Sequence, residues 1–251
     1  NLVDAAKKFG VKKFIYTSSP SVIFGDGNHS NGDETLAYPK KHLNHYAETK
    51  AMAEKYVLQS ADENFLVGAL RPHLIFGEKD PHIIPRLIQR GKLGKLKIVG
   101  NAENLVDVIY VENAAIAHVQ LMEKLNSEIS GNAYFIGQER PVNLWNFIND
   151  ILFRAGVEQV SDSISEKKAY ILGLIMEKLW KSLGILKPEP PMTRFVAKNL
   201  ATDHYYSHAK AKKDFGYEPK ISIEEALDRS FKNRSELKKK IGQFSDLTSN
   251  P

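Results

Sequence analysis

Phe65–Gly77 reads FLVGALRPHLIFG, and its first half decides the fold. Phe65–Leu70 is a near-continuous apolar run. A strand wet on one face alternates apolar and polar residues, whereas one covered on both faces does not. Such a strand belongs to a parallel sheet between helical layers. The following Arg71–Gly77 segment is turn-like and closes it.

Working outward, the pattern alternates. Upstream, Asn1–Phe9 reads as the end of a helix with Leu2, Val3, Ala5, Ala6 and Phe9 on one side. Gly10 closes it, and Lys12–Ser18 (KKFIYTS) follows as a short strand. Gly25–Glu34, rich in Gly, Asn and Asp, reads as a loop, and a helix carrying Tyr46 and Lys50 comes next. Downstream, a short helix is expected at Pro85–Arg90, then strands at Leu96–Val99 and Leu105–Val111. A helix over Glu112–Leu125 turns Ala114, Ala117, Leu121 and Met122 inward. Ala133–Ile136 is a strand and Asn143–Ala155 a helix. Strands alternating with helices define an α/β fold with a parallel sheet. From Val157 the pattern is mostly helical, ending in Ser222–Lys240. The expected organisation is a sheet region at 1–156 holding the reactive residues, and a smaller helical substrate cap at 157–251.

At 251 residues the chain can bury a core of one large domain with a small appendage. Its 42% hydrophobic and 26% charged residues are those of a soluble globular protein rather than a disordered one. The net charge of +5 is spread out, with short runs such as Lys238–Lys240, so solvated helix faces are favoured over a nucleic-acid groove. The absence of cysteine excludes disulfides and thiolate metal sites, and no metal is expected. Asn1–Gly10 lacks the apolar core of a secretory signal, and a cytoplasmic location is the expectation. Ala169–Leu186 (AYILGLIMEKLWKSLGIL) is the most apolar later stretch, yet Glu177, Lys178 and Lys181 make it a poor membrane span. It reads as an amphipathic cap helix, with a peripheral membrane contact as the second reading.

In α/β sheets reactive groups gather beyond the carboxyl ends of the strands. Two such ends carry Thr17–Ser21 (TSSPS) and Arg71–His73 (RPH), and between them Tyr46 and Lys50 stand at i and i+4, on one helix face. A free phenol, with its pKa near 10, is a poor proton relay at neutral pH; an adjacent ammonium favours the phenolate. A serine hydroxyl can hold the oxygen that gains or loses the proton. By itself the Tyr-x-x-x-Lys spacing is a weak signal and reads better as a plain amphipathic face. The Ser-Ser and Arg-Pro strand ends around it favour chemistry.

The stretches FIYTSSPSVIFG, YAETKAMAEK, ALRPHLIFGEKDPHIIPRLI, NLVDVIYVENAAIAH and PPMTRFVAKNLATDHYY together resemble the extended short-chain dehydrogenase/reductases. Within these, the 3β-hydroxysteroid dehydrogenase-like branch is closest. It includes bacterial 2-alkyl-3-oxoalkanoate reductases of olefin biosynthesis and sterol-4α-carboxylate 3-dehydrogenases. The resemblance implies a Rossmann-like sheet, NAD or NADP as cofactor, a lipid-like substrate and a homodimer. It makes Tyr46 the proton donor or acceptor, and Lys50 the ligand of the nicotinamide-side ribose that also favours the Tyr46 phenolate. Ser19 would hold the substrate oxygen, with Ser21 its rival for that role and Thr17 and Ser18 less suited. Pro72, His73 and Leu74 would lie against the nicotinamide, although His73 reads equally well as a turn histidine. Asp107 and Asn113 fall in a segment that faces the cleft in such proteins, but Asp107 serves equally as a structural cap. Arg194 would offer a partner to a substrate carboxylate.

One part of the family's pattern is not in this sequence. The G-x-x-G-x-x-G turn that cradles a dinucleotide pyrophosphate is absent; Gly25, Gly27, Gly91 and Gly94 do not form one. The sequence reads as lacking an amino-terminal part of the Rossmann sheet. The expectations are very weak cofactor binding by this polypeptide alone and apolar sheet edges that reduce solubility or recruit a partner. The favoured activity interconverts 3-oxo and 3-hydroxy groups on a bulky lipid. The rivals are a nucleotide-sugar epimerase or dehydratase on the same scaffold, and a non-catalytic remnant or interaction protein.

Overall fold

The computed structural model describes residues 1–25, 27–185 and 190–232. Leu186, the Lys238–Lys240 run and the far end of the helix expected at Ser222–Lys240 lie outside the described residues. In chain order, α1 (Leu2–Lys8), β1 (Lys13–Thr17), a 3₁₀ turn (Pro20–Val22) and β2 (His29–Gly32) come first. Next are α2 (His45–Gln59), β3 (Leu66–Pro72), β4 (Ile75–Phe76) and α3 (Ile83–Lys92). The middle holds β5 (Ile98–Val99), β6 (Leu105–Val106), β7 (Ile109–Tyr110), α4 (Val111–Lys124), β8 (Asn132–Ile136), β9 (Val142–Asn143) and α5 (Leu144–Arg154). The last elements are β10 (Ser163–Ile164), α6 (Glu166–Ser182), α7 (Arg194–Ala201), β11 (His204–Tyr206), α8 (Ala209–Phe215) and α9 (residues 223–232).

The central sheet is parallel, in the order β1-β3-β8, so the apolar run occupies its middle strand. Val67 points into a cluster with Val3 of α1 and Val57 of α2. Leu70 joins Ala117 and Leu121 of α4 and Phe215 of α8 on the opposite side. Both faces are covered by helices, which is why the strand needs no polar alternation. A Cβ on Gly68 would come within 3.0 Å of the Leu121 side chain, so glycine lets α4 sit close to the sheet.

The structure departs from the sequence reading in several places. The Gly25–Glu34 loop contains β2, which pairs with β11. The strand expected at Leu105–Val111 is two short strands, and the helix begins at Val111. β6 pairs with β11 and β9, whereas β7 pairs with β4. The change of partners falls at buried Asp107, whose carboxylate accepts the Tyr206 N–H at 2.8 Å. On α4, Met122 is 48% exposed, and Asn113 takes the buried place beside Ala114 and Ala117. On α1 only Val3 is buried; Leu2 and Phe9 face solvent.

The segment after Val157 is not only helical. Its β10 pairs with β5, its β11 pairs with β2 and β6, and α8 packs on β8 and α4. The largest apolar cluster joins Phe76, Trp145, Phe147 and Ile151 to Ile223 and Leu227 of α9. The C-terminal segment is therefore woven through the rest of the fold.

Candidate active site

A cavity of about 580 Å³ opens beyond the carboxyl ends of β1 and β3. Its lining includes Ser19 and Ser21 after β1, Tyr46 and Lys50 from α2, and Pro72, His73 and Leu74 at the end of β3. Phe195 and Asn199 of α7 and His204 and Tyr206 of β11 close the far side.

α2 starts where the Asn44 side chain accepts the Ala47 N–H at 2.8 Å. Its buried face, Ala47, Ala51, Glu54 and Val57, carries two alanines that let the helix lie close to the sheet. Tyr46 is 54% exposed, and its phenol makes no hydrogen bond to the protein among the described residues. Lys50 donates from Nζ to the Thr17 carbonyl at 2.7 Å, and Nζ lies 4.7 Å from the centre of the Tyr16 ring. Burial draws the pKa of Lys50 below its ordinary value, and the Glu54 carboxylate opposes the shift.

Glu54, one turn beyond Lys50, is a residue that the sequence reading missed. Arg71 donates to it twice, Nε to Oε2 at 3.0 Å and Nη2 to Oε1 at 2.6 Å. The Tyr38 hydroxyl adds a bond to Oε1 at 2.6 Å. Both ends of the ion pair are buried, at 4% and 0% exposure. The pair fixes the helix of Tyr46 and Lys50 against the strand that ends in Pro72. The signals in the sequence were the i, i+4, i+8 spacing of Tyr46, Lys50 and Glu54, and an arginine beside the proline.

Ser19 caps the 3₁₀ turn, its Oγ accepting the Ser21 N–H at 3.2 Å and the Ser21 hydroxyl at 3.0 Å. In this arrangement Ser21 spends its proton on Ser19, and the Ser19 proton is left for a ligand. Ser18 Oγ is buried and without a partner.

His73 joins a relay rather than a simple turn. Its Nε2 lies 2.6 Å from His204 Nδ1, and His204 Nε2 lies 2.7 Å from the Asn199 carbonyl. A carbonyl only accepts, so His204 Nε2 carries hydrogen and Nδ1 accepts from His73. In the neutral pair, His73 Nδ1 is then left unprotonated. Burial holds His73 well below its ordinary pKa and also lowers that of His204. Leu74, with φ +44°, adopts the left-handed backbone that carries the chain away from β3.

Three residues named from the resemblance lie elsewhere. Arg194 does not line the cavity: its Nε and its backbone N–H each donate to Glu177 at 2.7 Å. Its carboxylate partner is supplied by the protein itself, which corrects the expectation of a substrate carboxylate there. Asp107 accepts from Tyr206 and from His208 Nε2 at 3.3 Å, as a structural clamp on β11. Asn113 is buried and fully paired with Gln138, Lys220 and Ile221.

A parallel sheet with helices on both faces and a Tyr–Lys helix at its carboxyl edge defines a Rossmann-like α/β protein. The chain belongs to the 3-beta hydroxysteroid dehydrogenase/isomerase family, whose model matches residues 1–165. It is 42% identical to a 2-alkyl-3-oxoalkanoate reductase of Shewanella oneidensis over 91% of this chain, and spans 62% of that protein's length. It is 36% identical to the decarboxylating sterol-4-alpha-carboxylate 3-dehydrogenase of Mus musculus, over 95% of this chain and 67% of the mouse protein. In fold it is similar to the UDP-glucuronic acid 4-epimerase of Bacillus cereus crystallised with NAD. That likeness has a TM-score of 0.66 at 18% identity, over 94% of this chain and 65% of the epimerase.

Proposed function

We propose that the cavity belongs to an NAD- or NADP-dependent oxidoreductase interconverting a 3-oxo and a 3-hydroxy group on a bulky lipid-like substrate. The observation that carries this reading is one cavity shared by Tyr46, Lys50, Ser19 and Pro72, with Phe24, Leu74, Phe76 and Phe195 supplying apolar wall. The two relatives are named for an alkylated 3-oxo acid and a sterol carboxylate, substrates that suit such walls. Steroid biosynthesis is one pathway class consistent with the second.

The residues fit the nicotinamide–ribose end of a dinucleotide. Lys50 spends one N–H on Thr17 and keeps two for ribose hydroxyls, while Pro72 and Leu74 offer apolar surface to a flat ring. When bound, the cofactor supplies hydride to the carbonyl carbon or takes it back. Ser19 donates to the substrate oxygen and holds it beside Tyr46. Tyr46 protonates that oxygen as charge develops on it, and the Lys50 ammonium stabilises the phenolate left behind. In the oxidative direction the same residues act in reverse.

An epimerase or dehydratase uses the same scaffold, and the Bacillus structure is of that kind. The apolar walls disfavour a sugar nucleotide, which calls for polar and basic partners. We place the protein in the cytoplasm as a homodimer. The cysteine-free sequence supports the location, and Met52 and Tyr56, exposed on α2, offer a helix face for the dimer.

Replacing Tyr46 by Phe tests the reading in the longest in-frame polypeptide containing these residues. Turnover of 3-oxo acids should drop by about 10²–10⁴-fold with little change in KM. Turnover of UDP-sugars alone would favour the epimerase. Turnover of neither class, with no cofactor binding, would leave the remnant.

A further inference from the structure

Arg194 is held by Glu177 and lies off the cavity, yet the inner wall of the cavity carries another group able to meet an acid. His73, just past β3, and His204, in β11, both line it. They stand 131 residues apart in sequence and meet at 2.6 Å, with ring centres 4.7 Å apart. Because His204 Nε2 donates to the Asn199 carbonyl, His73 Nε2 donates to His204 Nδ1. The hydrogens therefore run one way, from His73 to α7, and the free end of this chain is the bare His73 Nδ1. Nothing among the described residues donates to it. His29 Nδ1 and His42 Nδ1 are likewise unpartnered but enclosed, whereas His73 Nδ1 is not enclosed and has the cavity to open into.

We propose that the His73–His204 pair is the carboxylate-recognition element of the cavity, and that it takes up one proton when the acid group of a 3-oxo or 3-hydroxy acid docks on His73 Nδ1. This role rests on the oxidoreductase reading above. Both relatives are named for acids, one a 3-oxoalkanoate and the other a 4-carboxylate acted on at position 3. An acid group so near the reacting carbon has to be met inside the cavity of Tyr46 and Ser19. As built, the neutral pair turns a lone pair toward the ligand, which repels a carboxylate. A proton on Nδ1 reverses this: His73 becomes a charged donor at both nitrogens, His204 still accepts, and no other hydrogen bond changes. The carboxylate supplies the opposite charge that a buried imidazolium needs. An ester brings no such charge, so the pair selects acids over esters.

The surroundings leave this task to the pair. Lys50 is bound to the Thr17 carbonyl, one turn from Tyr46 on α2. Lys79 and His82 are exposed on the loop before α3, where Glu78 and Asp80 offset them. Behind His204, the carboxylates of Asp107 and Asp203 favour its protonated form, but both already accept hydrogen bonds. Asp107 takes them from Tyr206 and His208, and Asp203 from Ser30 and Leu105. His29, opposite His204 on β2, is drawn below its ordinary pKa by burial, as are both members of the pair. Without a ligand the pair is therefore neutral near pH 7, and the proton has to arrive with the acid.

The test is calorimetry of the 251-residue chain with 3-hydroxydecanoate and with its methyl ester, in phosphate and in Tris, whose ionisation heats differ. The acid is expected to bind with uptake approaching one proton, its Kd rising by up to about tenfold per pH unit above about pH 6.5. The ester should bind more weakly, without proton uptake and independently of pH. His73→Asn keeps a donor near the Nδ1 position but cannot take up the proton, so acid binding should persist with a flat pH profile. That loss of proton uptake is a readout that a merely structural histidine would not move. Should the variant unfold, the His73 ring resonances of the unaltered chain give the second reading: their titration midpoint should move up when the acid is added. Equal binding of acid and ester, acid binding without proton uptake, or binding of neither would overturn the proposal. None of these measurements requires cofactor or turnover, so such a failure is separable from failure of the proposed reaction, which the Tyr46→Phe assay reads.

Discussion

At position 54 a fully buried carboxylate is held by two hydrogen bonds from Arg71 and one from Tyr38. Removing one partner leaves an uncompensated charge in the interior. Arg71→Met should therefore cost about 3–5 kcal/mol in chemical denaturation. Adding Glu54→Leu to it should recover much of that loss, since paired removal of a buried ion pair is often near neutral. The double variant also separates stability from function. Without the pair, Tyr46 and Pro72 are no longer fixed against each other, so kcat should stay low even where stability returns. Tyr46 and Lys50 were legible because their spacing is local. Glu54 was not, because its partner stands 17 residues away, on a strand that only folding brings alongside.

Between elements, the tightest backbone approach noted is at Gly173, where α6 crosses the start of α7. A Cβ there meets backbone, which cannot rotate away as a side chain can. Gly173→Ala should lower stability by about 1–3 kcal/mol, read from the denaturation midpoint. At the start of α2, Asn44→Ala removes a cap and should cost about 1 kcal/mol. Long elements such as α2, β3 and α5 were readable from periodicity and apolar runs. β5 fell within the strand expected at Leu96–Val99, but the two-residue strands β4, β9 and β10 were not read, because a period-2 pattern needs more residues than they have. The Leu105–Val111 stretch shows this: its apolar run is real, but Asp107 breaks it and its halves serve different sheets.

For the molecule as a whole, the buried histidines set a pH dependence. Folding lowers the pKa of His73, His204 and His29 through burial. The unfolded chain takes up protons near pH 6.5, whereas the folded chain resists until lower pH. Stability is therefore full above about pH 6.5 and falls as the pH drops toward the depressed folded values, by up to about 1.4 kcal/mol per unit for each histidine. Thermal melts from pH 8 to 5 should show this decline, and His204→Phe should flatten it. A flat profile in the unaltered chain would mean that the histidines stay solvated.

The sequence by itself determined the α/β class, the covered middle strand, the Tyr46–Lys50 helix and the family resemblance. Each rests on local spacing or on composition over a few residues. The tertiary structure decided which candidates share a cavity, and it gave Arg194 to Glu177, Glu54 to Arg71 and His73 to His204. It also threaded the C-terminal segment through the sheets. These are pairings between distant positions. A side chain's partner depends on which of the many groups of suitable chemistry folding brings within about 3 Å, and no short stretch of sequence contains that distance.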